Sequence, residues 1–130
     1  LMKSKKGVIA MLNSSATQWR HRFRLDINLE KGSLILSGIL SGSKSYGQET
    51  LTVIKADPVH DNGDPIEHTT KYNKDLSWKK ELDAFLAAII NNKELRSGNL
   101  DDAVAVMSLI QNIYYSDREW RNKFSIKNIK

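Results

Sequence analysis

The chain has 130 residues, of which 40% are hydrophobic and 27% charged, with a net charge of +5 and no cysteine. This composition is typical of one soluble domain spanning residues 1–130, and it excludes disulfides, thiolate metal sites and a cysteine nucleophile, while the positive charge favours anionic ligands of unspecified kind. No apolar run approaches the ~20 residues of a membrane helix and no signal-peptide core follows the basic start, so we expect a cytoplasmic protein without a membrane partner.

Two early segments alternate apolar and polar residues, the pattern of half-buried β-strands. The first is predicted over residues 7–13. The second is predicted over residues 19–29 and carries Arg20, Arg22 and Arg24 on one face, with apolar side chains on the other. Such a strand belongs in an open antiparallel sheet whose basic face is free for solvent, a ligand or another protein.

Further strands are predicted downstream. Gly32 supplies the positive φ of a short hairpin turn, and residues 33–40 return as an interior strand because apolar side chains fall on both of its faces. Residues 48–56 form the next strand, and the dipeptide Asn62-Gly63 favours a tight turn in a final ribbon. The expected sheet is mostly antiparallel and open, with about five strands.

The second half of the chain changes to helical periodicity. Ser77 is the predicted N-cap of a first helix, whose apolar residues recur along one face. Asn99 is the predicted N-cap of a second helix, with Asp101 and Asp102 in its first turn, where the helix dipole favours negative charge. The second helix is apolar almost all round, so we expect it to be buried on most sides.

These elements predict an α+β fold in which two main helices pack on one face of the sheet and the other face stays open for oligomerisation. Residues 117–130 are predicted to be a basic C-terminal tail, with Trp120 and Phe124 as anchors.

Five segments of the chain resemble the C-terminal half of the Gfo/Idh/MocA family, the relatives of glucose-fructose oxidoreductase and inositol dehydrogenase. The resemblance covers residues 7–116 and consists of patterns of residue type, not catalytic signatures. The segments are residues 7–12, 30–36, 81–89, 98–103 and 109–116.

The resemblance implies a two-domain enzyme in which an N-terminal Rossmann domain binds NAD or NADP. The C-terminal domain of such an enzyme contacts a sugar substrate and forms a homo-oligomer through its sheet. This chain has no G-x-G-x-x-G fingerprint and no Glu-Lys-Pro segment with the family's catalytic lysine. We therefore assign no catalytic or cofactor-binding residue, and we expect a Rossmann-domain partner outside this chain and no activity from the chain alone.

Four residues are predicted to contact substrate, namely Arg20, Arg22, Arg24 and Tyr46. Guanidinium groups match phosphate oxygens, so the arginines suit an anionic sugar such as a nucleotide-activated one. Tyr46 lies in the serine- and glycine-rich loop 41–47, which connects two strands and is expected near substrate. The competing interpretation of the arginines is a solvated or cross-strand-paired face.

Two other features receive structural interpretations. His21 falls among apolar neighbours and is expected to be a buried, hydrogen-bonded histidine, because no carboxylate or nucleophile stands at a readable spacing. The segment 57–68 gathers acidic residues and histidines without a known metal-ligand spacing, so it is interpreted as a solvated ribbon tip, and no metal site is assigned.

The function predicted from the sequence is therefore a substrate-binding and oligomerisation domain of a nicotinamide-dependent sugar oxidoreductase. The alternative is a nucleic-acid or anion-binding module that uses the basic face of the sheet. Nucleic acid is disfavoured as a partner because, in a strand over residues 19–29, Trp19 and Phe23 point away from the arginines and leave no aromatic ring for base stacking.

Overall fold

The computed structural model describes residues 1–57, 59, 63, 65–95 and 97–128. These residues form two antiparallel sheets and three helices, which confirms the predicted α+β class. The strands are β1 (Met2–Lys3), β2 (Ile9–Ala10), β3 (Arg24–Leu29), β4 (Gly32–Ser37), β5 (Glu49–Lys55) and β6 (Glu67–Tyr72). The helices are α1 (Ser77–Ile90), α2 (Leu100–Ser116) and α3 (Arg118–Lys123).

The chain divides into two compact units, residues 1–75 and residues 76–130. The prediction of a single domain over residues 1–130 stays a prediction, as does the packing of the helices on one face of the sheet. Among the described residues, no helix combines the length and apolar character needed to cross a lipid bilayer.

The first unit begins with a short hairpin. β1 and β2 pair antiparallel, with Met2 opposite Ala10, and the turn between them closes where Ser4 Oγ accepts the Val8 N–H at 3.0 Å. Gly7 takes the positive φ of +87° that this turn requires. The predicted first strand over residues 7–13 was therefore too long, and its partner is the basic start of the chain.

The main sheet has the strand order β3-β4-β5-β6, and every neighbouring pair is antiparallel. β4 lies inside the sheet, as its two apolar faces predict, and β3 and β6 are the edges. The predicted number of about five strands approximates these four, because β1 and β2 form a separate sheet. Asn62, at the predicted tight turn, lies outside the described residues.

The hairpin between β3 and β4 depends on one glycine. Gly32 has φ +142°, and a Cβ at this position would lie 2.1 Å from the carbonyl oxygen of Ile54 on β5. Any other residue would clash with the neighbouring strand, so glycine is required both for the turn and for the close approach of β5.

The register separates the two faces of the main sheet. One face is apolar, and its central side chains are those of Leu25, Ile27, Leu34, Leu36, Leu51 and Val53. The opposite face is polar over most of its area, with Arg24, Asp26, Asn28, Ser33, Thr52 and Thr69. Cross-strand bonds on the polar face join Ser33 to Asn28 at 2.8 Å and Thr52 to Thr69 at 2.8 Å.

The strand predicted over residues 19–29 begins only at Arg24. Its ladder partner β4 ends at Ser37, where Gly38 turns the chain with φ +73°, and the last contact is from the Gly38 N–H to the Phe23 carbonyl at 3.1 Å. Among the described residues, no strand therefore continues past this contact to pair with residues 19–22. The predicted strand was therefore too long at its start. The length of a paired strand is limited by its neighbour, and the alternation of residues within one segment does not show where that neighbour ends.

In the second unit, α1 begins at Ser77 but is not capped as predicted. The N-cap is Leu76, and its side chain makes no capping hydrogen bond, so the prediction of Ser77 as the N-cap was wrong by one residue. The helix ends at Ile90, Asn91 is its C-cap, and Asn92 follows with a left-handed φ of +48°.

Asn99 is the N-cap of α2, as predicted, with Asp101 and Asp102 in the first turn. The Asn99 side chain accepts the Asp102 N–H at 2.9 Å, and Asp102 accepts the Asn99 N–H at 3.4 Å, which together form a capping box. The described residues of the second unit do not bury this helix, since Val106 and Met107 are 55% and 63% exposed. The expected burial on most sides is thus not provided within this unit.

The predicted basic tail contains α3, capped by Asp117, whose side chain accepts the N–H groups of Glu119 and Trp120. The Trp120 ring stacks on Tyr114 of α2 with centroids 5.0 Å apart and planes 8° from parallel, and Phe124 packs on Trp120 at 5.0 Å. Aromatic contacts therefore anchor the segment after α2, at the residues that the sequence indicated.

Candidate anion-binding cavity

A cavity of about 370 Å³ lies in the first unit, beside the N-terminal end of β3. Its lining comes from residues 18–23, 37–38 and 46–48, and we call it the arginine cavity. Its volume falls near the lower end of the ~300–1,000 Å³ typical of small-molecule sites. Residues 18–23, which precede β3, thus form one wall of a cavity large enough for a small molecule.

Glycines let the two walls of the arginine cavity approach each other. A Cβ on Gly38 would lie 2.1 Å from the Gln48 carbonyl oxygen, so only glycine fits between the end of β4 and the start of β5. Gly47 has φ +79° and donates its N–H to the Lys44 carbonyl at 3.3 Å. These turns bring the loop that carries Tyr46 back against residues 18–23.

Two of the four predicted substrate residues bring positive charge to this cavity. Arg20 and Arg22 both line it, and a Cβ built on Gly47 would lie 4.0 Å from Arg20 Nη2. Within the described part of the chain, neither arginine has an ion pair, and no carboxylate lines the cavity. The described lining of the arginine cavity therefore holds two guanidinium groups and no carboxylate.

Tyr46, the third predicted residue, also lines the cavity and contacts His21. The two ring centroids are 5.3 Å apart, and the planes are tilted by 51°. His21 is exposed and not buried as expected, because residues 19–23 are outside the sheet. Its neighbours in the cavity are aromatic and basic, and the described residues supply no carboxylate to make it a general base.

Arg24 is separated from the other predicted residues. It lies on β3, outside the lining of the arginine cavity, and its Nε donates to Oδ1 and Oδ2 of Asp26 at 2.9 and 3.0 Å. The structure thus brings Arg20, Arg22 and Tyr46 together and leaves Arg24 in an ion pair on the polar face of the sheet.

Trp19 is the cavity residue that the sequence interpretation missed. It lines the same space as Arg20 and Arg22, and its side chain is 97% exposed. Strand alternation placed this indole away from the arginines, and that inference was wrong because residues 19–23 are not a strand. The rest of the cavity lining comes from residues 37–38 and 46–48, which lie far along the chain, so no signal within residues 19–29 indicated the site.

A second depression of about 340 Å³ lies on the apolar face of the main sheet. Phe23, Leu36, Leu51 and Tyr72 line it, and Leu25 and Leu29 of β3 on the same face are 45% and 59% exposed. The described residues of the first unit provide no second layer over this face. An apolar sheet face of this kind is typical of a surface that another layer or subunit covers.

The described residues contain no group of three or more acidic, histidine or cysteine side chains arranged to hold a metal ion. Three members of the segment 57–68, namely His60, Asp61 and Asp64, lie outside the described residues. The interpretation of that segment as a solvated ribbon tip stays a prediction.

Comparison of the chain with known proteins gave no match to a family model, a curated protein or a solved structure. The family resemblance, and the cofactor, substrate and partners that it implies, therefore stay predictions.

Proposed function

We propose that the chain is the substrate-binding and oligomerisation domain of a nicotinamide-dependent sugar oxidoreductase. In this proposal, an N-terminal Rossmann domain outside the chain binds NAD or NADP, and the sheet domain orients the sugar and pairs with another subunit in the cytoplasm. Hydride passes between the cofactor and a carbon of the sugar, so the chain alone has no turnover.

The open main sheet is the observation that carries the proposal. Its four antiparallel strands present a continuous apolar face that the described residues of the first unit do not cover. The exposed Leu25 and Leu29 add to this surface. The segments that carry the family resemblance include the β3–β4 hairpin and the start of α2, and both have the local structure expected of them.

The arginine cavity supports the substrate-binding part of the proposal. Arg20 and Arg22 supply positive charge, the described lining contains no carboxylate, and Tyr46 supplies a hydroxyl and a ring. Guanidinium groups bind carboxylates and phosphates through paired N–H donors. An anionic group on the sugar substrate would therefore be held at this end of the sheet.

The direct test uses the purified protein encoded by the complete reading frame that contains this chain. Reduction of the nicotinamide cofactor is followed by its absorbance. A panel of sugars, sugar acids and nucleotide-linked sugars is supplied with NAD⁺ and with NADP⁺. The proposal expects turnover of a sugar by the complete product and none by residues 1–130. A complete product that neither binds nor reduces a nicotinamide cofactor would contradict the proposal.

One observation favours a second candidate, a nucleic-acid-binding module. Trp19 shares the arginine cavity with Arg20 and Arg22, which removes the geometric objection that aromatic rings point away from the basic residues. Binding of this kind combines base stacking with a basic surface and weakens steeply as salt rises. Titration with a single-stranded oligonucleotide at two salt concentrations tests this candidate.

A further inference from the structure

We infer that the arginine cavity binds the diphosphate of a nucleotide and that the base of this nucleotide stacks on Trp19. The inference rests on the proposed function, because it narrows the substrate of that domain to a sugar linked to a nucleoside diphosphate. It uses the charges, the exposed ring and the shape of the cavity.

The charges favour a group with several negative oxygens. Arg20 and Arg22 line one cavity, and in the described part of the chain neither has a carboxylate partner. Arg24, two residues further on, is neutralised by both oxygens of Asp26. Two positive charges in one cavity repel each other, and a diphosphate relieves this repulsion while accepting N–H donors from both guanidinium groups.

The exposed indole favours a ligand with a flat ring beside its phosphates. Trp19 is 97% exposed and makes no ring contact with the residues that the structure describes, whereas His21 and Tyr46 pack against each other. An indole face exposed to water is a good platform for a nucleobase, and stacking of this kind accepts any base. The class of ligand is therefore a nucleotide and not a simple phosphorylated sugar.

The shape of the cavity depends on two glycines, at positions where any larger residue would clash or adopt an unfavourable backbone conformation. Gly38 lies so close to the Gln48 carbonyl that a side chain would not fit, and Gly47 takes a left-handed φ beside Arg20. These glycines keep residues 46–48 close to residues 18–23. The two arginines and the indole line one space, because residues 19–23 precede β3 and are not part of a strand.

The test is isothermal titration of the 130-residue chain with uridine diphosphate, adenosine diphosphate, uridine and inorganic phosphate. We expect both diphosphates to bind more tightly than uridine or phosphate. The double variant Arg20→Ala/Arg22→Ala should weaken diphosphate binding by about tenfold or more, since each substitution removes a charge-assisted contact. Trp19→Ala should weaken binding of the diphosphates but not of inorganic phosphate.

Arg24→Ala is the matched control, because it removes the same side chain from the neighbouring strand without touching the cavity lining. It should leave diphosphate affinity within about twofold of the parent chain. Circular dichroism of each variant checks that the sheet and helices are intact, and Arg20→Lys/Arg22→Lys should recover part of the affinity while keeping the charge.

Three results would overturn the inference. One is that neither diphosphate binds the parent chain. Another is that Arg24→Ala weakens binding as much as the double variant does. The third is that single-stranded oligouridine binds more than tenfold tighter than uridine diphosphate, with steep salt dependence, which would assign the cavity to nucleic acid.

The outcome is separable from that of the proposed function. Nicotinamide-dependent turnover of an unlinked sugar, with no diphosphate binding, would overturn this inference and leave the oxidoreductase proposal standing. Diphosphate binding by the chain, with no nicotinamide chemistry in the complete product, would support this inference and contradict the oxidoreductase proposal.

Discussion

Arg24 Nε lies 2.9 Å from Oδ1 and 3.0 Å from Oδ2 of Asp26, two residues along the same edge strand. This pair explains why three arginines of similar spacing in the sequence have different surroundings. Arg24 belongs to β3 and shares a face of the sheet with Asp26, whereas Arg20 and Arg22 precede the strand and line a cavity. β4 ends at Ser37, which pairs with Arg24, so the arginines before Arg24 are outside the sheet.

The Arg24–Asp26 pair should contribute little to stability. Both side chains are about half exposed, at 46% and 48%, so water and salt screen the attraction. A double-mutant cycle with Arg24→Ala and Asp26→Ala should give a coupling energy of ~0.2–1 kcal/mol in urea denaturation. The coupling should shrink when the salt concentration is raised, and a coupling above about 2 kcal/mol would contradict this account.

Gly32→Ala should strongly destabilise the main sheet. The new Cβ would lie 2.1 Å from the Ile54 carbonyl oxygen, and φ +142° is unfavourable for alanine. We expect the free energy of unfolding to fall by at least about 2 kcal/mol in urea denaturation. Gly42→Ala is the control, because no atom lies within 4 Å of the added Cβ, and equal losses for the two variants would disprove the assigned turn.

Asn99→Ala should weaken the N-terminus of α2. The substitution removes the acceptor of the Asp102 N–H, so we expect a loss of about 1 kcal/mol in unfolding free energy, measured by the circular dichroism of the helices. Asn112→Ala is the matched control, since Asn112 is exposed in the helix interior and alanine has the higher helix propensity. If Asn99→Ala raises the unfolding free energy or leaves it unchanged, the capping box does not stabilise this helix.

Leu25→Glu should disrupt assembly through the sheet. Leu25 lies on the apolar face opposite Leu36, and burying a carboxylate there in a subunit interface is unfavourable. We expect the apparent dissociation constant of the oligomer to rise by about tenfold or more in concentration-dependent light scattering. Lys71→Glu places the same side chain on the polar face and should leave assembly unchanged.

A parent chain that stays monomeric at every concentration would contradict the assembly role itself. If Lys71→Glu dissociates the oligomer and Leu25→Glu does not, assembly uses the polar face and the assigned surface is wrong.

Local features of this fold were predictable from the sequence. The capping of α2 depends on Asn99 and Asp102, which are three residues apart, and the turn before β4 depends on Gly32. Both are decided by backbone hydrogen bonds and torsion angles within a few residues. The interior position of β4 followed from its apolar residues on both faces.

Features that depend on distant partners were not predictable in the same way. The start of β3 at Arg24 is set by the end of β4, and the exposure of His21 follows from that shorter strand. The cavity lined by Trp19, Arg20 and Arg22 also needs residues 37–38 and 46–48, which lie far along the chain. Alternation within residues 19–29 contains none of this information, so the cavity emerged only from the three-dimensional arrangement.

The central claim, that this sheet domain belongs to a nicotinamide-dependent oxidoreductase, is tested most directly by determining the coding sequence upstream of the codon for Leu1. The account predicts an in-frame strand followed by a glycine-rich dinucleotide fingerprint, and a Glu-Lys-Pro segment further along. A reading frame that starts at or near Met2, with neither motif encoded before it, would contradict the account.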